Sequence, residues 1–500
     1  MRLTSSVKIP AFLAGFVFSF ASLNFPLIAA ATPSDAKKPI LQVRDKPFQL
    51  DSQGKTVNAF EVILIQPDGT ESKEGYTGVK GDWFDVIVEN KSAEPITLHW
   101  HGLIVPNDQD GVPGVTQTLI QPGEKRPYKY KLVQSGTYWM HSHEGFQEQQ
   151  QLSAPFVIYE SEQQKNSEQD VVMFMKDFTY QDPQAIFNKL RNTKMPAMQM
   201  DNMQNGAGMQ MMKGSADYND VNYDAYITNK KTLAKPTIRY VTPGQVRLRI
   251  INAAAATNFV VDLGKLQGSL VAVDGAKVKP VQGSQFPIGI ANRLDIIVNI
   301  PSNGGAFPIL GQAEGTNKQT GLILATKGAE IPQLSPTASQ TIGRIPYYEL
   351  EQSLKAVDPL PKKTVDISLN YNLQGTMNGY RWMLNDESWP KINPKIVKKG
   401  QRVELVFTNK TAMSHPMHFH GHVFQVTEIN GKPLKDGARR DTVLVQPFTT
   451  VKVQFDADNP GIWMNHCHNL YHMAGGMMTT IEFAGYPKPA FYLSTIGKTQ

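Results

Sequence analysis

The tripeptide His466-Cys467-His468 narrows the folds open to this chain more than any other feature. In an extended strand successive side chains point to opposite faces, so the two histidines look one way and the cysteine the other. Such a strand separates two sites. On the cysteine side the run WMNHCHNLYHMAGGMM continues with His472 and Met477, adding an imidazole and a thioether to the thiol. A thiolate, two imidazoles and a weak axial thioether are the ligands of a blue-copper centre. The second imidazole must come from elsewhere in the chain, and His415 can supply it. The backbone of Cys467 then joins that centre to whatever His466 and His468 bind, which is the plan of an oxidase.

All 11 histidines fall in four motifs: LHWHGL, YWMHSHEG, SHPMHFHGHVF and NHCHNLYH. His99 and His101 share one strand face, with Gly102 allowing close backbone approach, and His141 and His143 repeat the arrangement. With His415 and His472 assigned to the thiolate site, His99, His101, His141 and His143 near one end of the chain face His418, His420, His466 and His468 near the other. Eight imidazoles can hold three coppers as 3 + 3 + 2, each with room for an oxygen ligand. His422 is left over and is expected beside a ligand rather than as one.

A chain of 500 residues, 41% hydrophobic and 19% charged, is too long for one core and suggests about three domains. Short β-rich runs such as WFDVIVEN, VRLRIIN and RVELVFTN, spread among 39 Gly and 33 Pro, favour an all-β chain of sandwich domains. The expected units are residues 32–160, 161–330 and 363–500, with 331–362 as a linker. The first and third carry the histidines, so the chemistry must lie where they meet. Residues 1–31 read as a signal peptide: Arg2 and Lys8, an apolar run, then Ala29-Ala30-Ala31. Arg2 is followed by Leu3, so there is no twin-arginine signal and a Sec-type route to the periplasm is expected. No later apolar run approaches the roughly 20 residues of a membrane span. One cysteine precludes an internal disulfide, and metal ligation explains a lone thiol in an exported chain. The net charge of +6 comes without a basic stripe interleaved with aromatics, which argues against nucleic acid as a partner.

The strings HWHG, HSH, HPMHFHGH and HCHNLYHMAGGM resemble, in order and wording, the four copper motifs of the multicopper oxidases, which include laccases, ascorbate oxidase and bacterial copper-resistance oxidases. GTYWMHSHEGFQEQQ, DGVPGVT and CHNLYHM are most similar to the copper-resistance branch. The resemblance implies three consecutive cupredoxin-like Greek-key β-sandwiches with a trinuclear cluster between the first and third. It implies four copper ions. His415, Cys467, His472 and Met477 would hold type 1 copper, and His99 and His418 type 2. His101, His141 and His468 would hold one type 3 copper, and His143, His420 and His466 the other. Met477 implies a type 1 potential at the low end of the family's range. Asp110 matches the family's proton-delivering carboxylate. Asp441 matches a position near the type 1 histidine, where it would bind a cation or orient His415. Met473 and Ala474 stand where copper-resistance relatives often carry an acid.

Seven of the 19 Met lie in one insert at 195–212: Met195, Met198, Met200, Met203, Met209, Met211 and Met212. Thioethers are soft ligands suited to Cu(I), so the insert is a candidate for cuprous-ion capture, with packing as the plainer role. Met413 and Met417 flank His415 and are candidates for the same edge. The expected reaction is oxidation of a one-electron donor, Cu(I) first and a phenol or Fe(II) as alternatives, by dioxygen, in a monomer that a periplasmic copper donor could load. A non-catalytic copper-sequestering protein is the alternative of another class, and the complete ten-histidine set argues against it.

Overall fold

The computed structural model describes residues 38–50, 55–193 and 217–492. The signal-peptide segment 1–31 and the Met-rich insert 195–212 lie outside the described residues. The chain is all-β and forms three cupredoxin-like sandwiches in sequence order.

Alternation builds the sheets. Trp83–Asn90 turns Phe84, Val86 and Val88 inward while Trp83 stays exposed. It pairs parallel with Ile40–Asp45 and antiparallel with Lys125–Lys131 in a five-stranded sheet. The facing sheet runs Tyr76–Val79, Ser153–Tyr159, Gly136–His141, His99–His101. Between them Phe84 packs edge-on against Trp100 with centroids 4.9 Å apart and lies 5.2 Å from Phe156. Burying each such side chain stabilises by about 1.5–3 kcal/mol. Trp100 anchors the motif strand in this core, and period two then forces His99 and His101 to the opposite face.

The second sandwich packs a six-stranded sheet, centred on Gly244–Asn252 and Arg293–Ile300, against a five-stranded one that includes Ala306–Ala313 and Gln319–Ala325. In the third, the five-stranded sheet runs Lys395–Val397, Met478–Phe483, Ile462–Cys467, His415–Phe419, Thr442–Val445. His415–Phe419 thus lies between the cysteine strand and Thr442–Val445.

Residues 331–362, expected as a linker, carry the helix Tyr347–Ser353, which buries Tyr347, Tyr348, Leu350 and Glu351. Tyr348 also accepts a hydrogen bond from the Gln446 backbone N–H at 2.9 Å, tying the segment to the third sandwich. A second helix, Pro183–Asn192, begins with Asp182 as N-cap and Pro183 in its first turn and buries Ile186 and Phe187. Among the described residues no helix is long and apolar enough to cross a membrane.

Candidate metal centres

Two strands set the first sandwich's contribution. Register pairs Trp139 with His101, Met140 with Trp100 and His141 with His99, so the histidines of both strands share the face that Trp100 and Met140 leave. In the third sandwich Met417 pairs with Cys467 and His418 with His466. The chain turns after Cys467 into the short helix Leu470–Ala474, whose N-cap Asn469 accepts from the backbone N–H groups of Tyr471 and His472. That cap aims His472 back at the cysteine.

On the cysteine side, Nδ1 of His415 and Nδ1 of His472 lie 3.1 Å apart, and Cys467 Sγ is 3.7 Å from each. All three residues are fully buried. The far nitrogens are engaged: His415 Nε2–H donates to Thr411 Oγ1 at 2.7 Å and His472 Nε2–H to Asp220 Oδ2 at 3.2 Å. Both Nδ1 atoms therefore present lone pairs toward the sulfur. Met477, also fully buried, is held to the same loop: its carbonyl accepts from Cys467 N at 3.0 Å and its N–H donates to His472 O at 3.1 Å. Burial pushes the Cys467 thiol well up, so a thiolate here requires a cation beside it.

On the other side three sets of imidazoles converge, each drawing on both end sandwiches: His99, His101 and His418; His101, His141 and His468; and His143, His420 and His466. Six of the eight have their outer nitrogens tied. His99 Nδ1–H donates to the Asp110 carbonyl at 2.7 Å, His420 Nδ1–H to Asp110 Oδ2 at 2.9 Å, His466 Nδ1–H to Cys467 O at 3.0 Å and His418 Nδ1–H to Asp441 O at 2.9 Å. His141 Nδ1 lies 3.1 Å from Glu148 Oε2. His101 is reversed, its Nε2–H donating to Asp441 Oδ1 at 3.0 Å.

The inner nitrogens are consequently lone pairs that face one another. His420 Nε2 and His466 Nε2 stand 3.0 Å apart, and His141 Nε2 and His468 Nε2 3.3 Å apart. His99 Nε2, His101 Nδ1 and His418 Nε2 are buried with no hydrogen-bond partner. Facing lone pairs and orphaned acceptors are costly unless a cation lies between them. Burial and neighbouring imidazoles hold His101, His143, His418, His420 and His468 well below the ordinary histidine pKa, and burial lowers His466 to about 3. Neutral, prealigned nitrogens and one buried thiol fit copper.

His422 belongs to none of these sets. It is buried, stacks on Phe419 at 4.9 Å, and its Nδ1–H reaches the His420 carbonyl at 3.2 Å, so it braces a candidate ligand. Met413 and Met417 are buried in the same hydrophobic core as Cys467 and Met477, with Met417 directly across the strand from Cys467.

Asp110 sits under His99 and His420, fully buried. Gly111 makes that possible: at φ +86° it lets the chain press against Leu98, and a Cβ there would collide with Leu98 O. Asp441 is not at the cysteine site. The strand Thr442–Val445 runs antiparallel to His415–Phe419 with His415 opposite Val445 and His418 opposite Thr442, which delivers Asp441 to the His418 end. The carboxylate on the thiolate site's histidine is instead Asp220, which also accepts from Tyr380 O–H at 2.5 Å. Asp220 was missed because no local pattern links it to a histidine far away in sequence, and Glu148, seven residues after His141, because the loop between them has no regular period that would aim it back.

A sandwich holding a buried thiol and two imidazoles, joined through three consecutive residues to an imidazole cluster between domains, fits a metal-dependent redox protein. Three multicopper oxidase family models match residues 77–163, 169–329 and 352–484. The chain is 34% identical to multicopper oxidase MmcO of Mycobacterium tuberculosis over 81% of its own length and 80% of that protein's. It is 27% identical to the copper resistance protein A homolog of Pseudomonas syringae pathovar tomato, covering 81% of this chain and 86% of that one. Its fold matches the crystal structure of Fet3p, a multicopper oxidase that functions in iron import, with TM-score 0.72 and 19% identity over 89% of this chain and 90% of that one. The chain belongs to the multicopper oxidases, and is a copper-dependent oxidoreductase.

Proposed function

We propose that this protein is an exported oxidase that takes electrons one at a time from Cu(I) and passes them to dioxygen, serving copper tolerance. Four coppers are assigned: one at His415, Cys467, His472 and Met477; one at His99 and His418; one at His101, His141 and His468; and one at His143, His420 and His466. Bound there, copper would supply one-electron redox chemistry and the site at which dioxygen takes up four electrons and four protons to become two waters. The residues supply the path and the environment. Cys467 lies between His466 and His468 in the chain, so a covalent path of three residues connects the thiolate site to both halves of the cluster. Asp110, which accepts from His420 Nδ1–H, is the carboxylate assigned to proton delivery at the cluster.

The donor assignment is carried by Asp220. Its carboxylate bonds the buried imidazole of His472, and Asp217 stands beside it, its pKa raised by burial and by the charge of Asp220. Two adjacent carboxylates at the electron-entry histidine suit a cation better than a neutral phenol. Met212 stands five positions before Asp217 in the chain, which supports a capture role for the Met-rich insert. The relatives' names, a copper resistance protein A homolog among them, agree with copper tolerance. The leader-like segment 1–31 supports the periplasm as its compartment and a monomer is expected there.

The test is oxygen uptake by the copper-loaded protein with Cu(I) and with 2,6-dimethoxyphenol, in the full chain and after deletion of residues 195–212. A preference for Cu(I) that the deletion selectively weakens supports the reading. Fast phenol turnover with poor Cu(I) turnover would make the enzyme laccase-like, and no uptake with either donor at full copper loading would leave a sequestering protein.

A further inference from the structure

The middle sandwich contributes no histidine, yet its strand Arg293–Ile300 reaches the cluster. Arg293, fully buried, donates from Nη1 to Asp441 Oδ1 at 2.8 Å and from Nη2 to Asp441 Oδ2 at 2.5 Å. Its Nε–H donates to the carbonyl of Thr137 at 3.0 Å, on the strand that carries His141. One guanidinium from the second sandwich thus grips the first and the third. Behind it runs a buried chain of charge. Asp274 accepts from the Arg293 backbone N–H at 2.8 Å and from Arg440 Nη1 at 3.0 Å, and Arg440 pairs with Glu351 at 2.8 Å.

Asp441 is where this chain meets the cluster. Its Oδ1 accepts from His101 Nε2–H, so His101 must present Nδ1 inward, and its carbonyl accepts from His418 Nδ1–H, so His418 presents Nε2. Those two inward nitrogens are among the orphaned buried atoms. A carboxylate is free to rotate about its Cβ–Cγ bond; here the bidentate Arg293, with Thr442 Oγ1–H donating to Oδ1 at 2.9 Å, fixes its plane. Gly102 leaves the room, for a Cβ there would lie 2.5 Å from both Arg293 Nη2 and Asp441 Oδ2.

We propose that Arg293 is a positioning residue for the histidine cluster, orienting the Asp441 carboxylate so that His101 offers Nδ1 to copper, opposite in kind to the Nε2 of His418. The inference rests on the cluster assignment above. The ligand-free middle domain is then part of the metal site's framework, and its docking on both end sandwiches sets the tautomer of His101.

The test compares copper binding in wild type, Arg293→Lys, Arg293→Met and Arg249→Met, all as full chains. Arg249 is the control: its Nη1 also bonds Thr137, at 3.1 Å, and it pairs with Asp170 and Asp295, without touching Asp441. The readouts are copper per chain under chelator competition, the blue thiolate absorption, and the melting temperature of the apo protein. Lysine keeps the charge but cannot span both carboxylate oxygens, so Arg293→Lys should weaken cluster copper by about 10–100-fold while the blue absorption stays near wild type; the buried bonds to Thr137 O and Ala291 O that lysine cannot all keep should lower the apo melting temperature as in Arg249→Met. Arg293→Met should weaken it at least as much. Arg249→Met should lower the melting temperature without changing the ratio of cluster to thiolate-site copper. Wild-type cluster binding in Arg293→Lys would overturn the proposal, as would an equal loss in Arg249→Met. Should Arg293→Met fail to fold, Arg293→Lys decides. A wild type that loads copper only at the thiolate site would overturn the cluster assignment and this inference with it.

Discussion

Substituting Asp220 separates the charge at the electron-entry histidine from its hydrogen bonds. Both bonds to this side chain end on the same oxygen, Oδ2, from Tyr380 O–H at 2.5 Å and from His472 Nε2–H at 3.2 Å. The amide oxygen of Asp220→Asn can occupy that position and accept both, so apo stability should change by less than about 1 kcal/mol. Asp220→Ala leaves two buried donors unpaired at about 1–3 kcal/mol each and should melt lower. The charge is a separate matter. A monovalent cation about 4 Å from a carboxylate near a protein surface gains about 4 kcal/mol at an effective dielectric constant of about 20. Desolvation and screening return much of it, and about 1.4–2.8 kcal/mol surviving corresponds to roughly 10–100-fold in apparent affinity. Steady-state oxygen uptake should therefore show KM for Cu(I) raised by that factor in Asp220→Asn and in Asp217→Asn, with KM for an uncharged phenol little changed. Potentiometry of the thiolate site on the same variants separates docking from a change in driving force. An unchanged KM for Cu(I) in both variants and in their double would refute the acidic docking site.

Gly111→Ala places a Cβ against Leu98 O at φ +86°, where the left-handed backbone alone costs a non-glycine residue about 1–2 kcal/mol. It should lower the melting temperature and, by displacing Asp110 from His99 and His420, reduce cluster copper per chain while sparing the blue absorption. Lys176 is buried, donating to Glu148 O and Ser153 Oγ at 2.8 Å each, and burial lowers its pKa to about 8. Between pH 8 and about 10.4 the unfolded chain holds the proton that the folded chain has released, so this group's contribution to stability rises with pH across that window. Melting temperatures of wild type and Lys176→Met, measured from pH 7 to 10, should converge or cross in favour of wild type as pH rises. A constant difference would show that Lys176 keeps its charge in the fold.

Much of the candidate site was legible because strand geometry is local. Period two assigns His466 and His468 to one face and Cys467 to the other wherever the strand lies, and in the structure they face the imidazole cluster and the His415–His472 pair respectively. The same rule separates His99 and His101 from Trp100, whose burial in the first sandwich turns the histidines outward. The all-β, three-sandwich architecture was readable from short alternating runs between turns. The segment 331–362 was not, because its helix Tyr347–Ser353 is held by burial against the sandwiches rather than by a strong local signal.

Asp441 marks where local reasoning ends. Adjacency to the type 1 histidine followed from resemblance, but antiparallel register with His415–Phe419 carries Asp441 to the opposite end of the strand. Asp220 reaches His472, and Arg293 reaches Asp441, only through the docking of sheets and loops. The amino-acid sequence by itself determined the donor types, their faces and their spacing, because these follow from one residue's relation to the next few. The tertiary structure decided which ring nitrogen His101, His418, His420 and His472 present and which aspartate holds each, because hydrogen-bond partners far apart in sequence are set by strand register and domain packing.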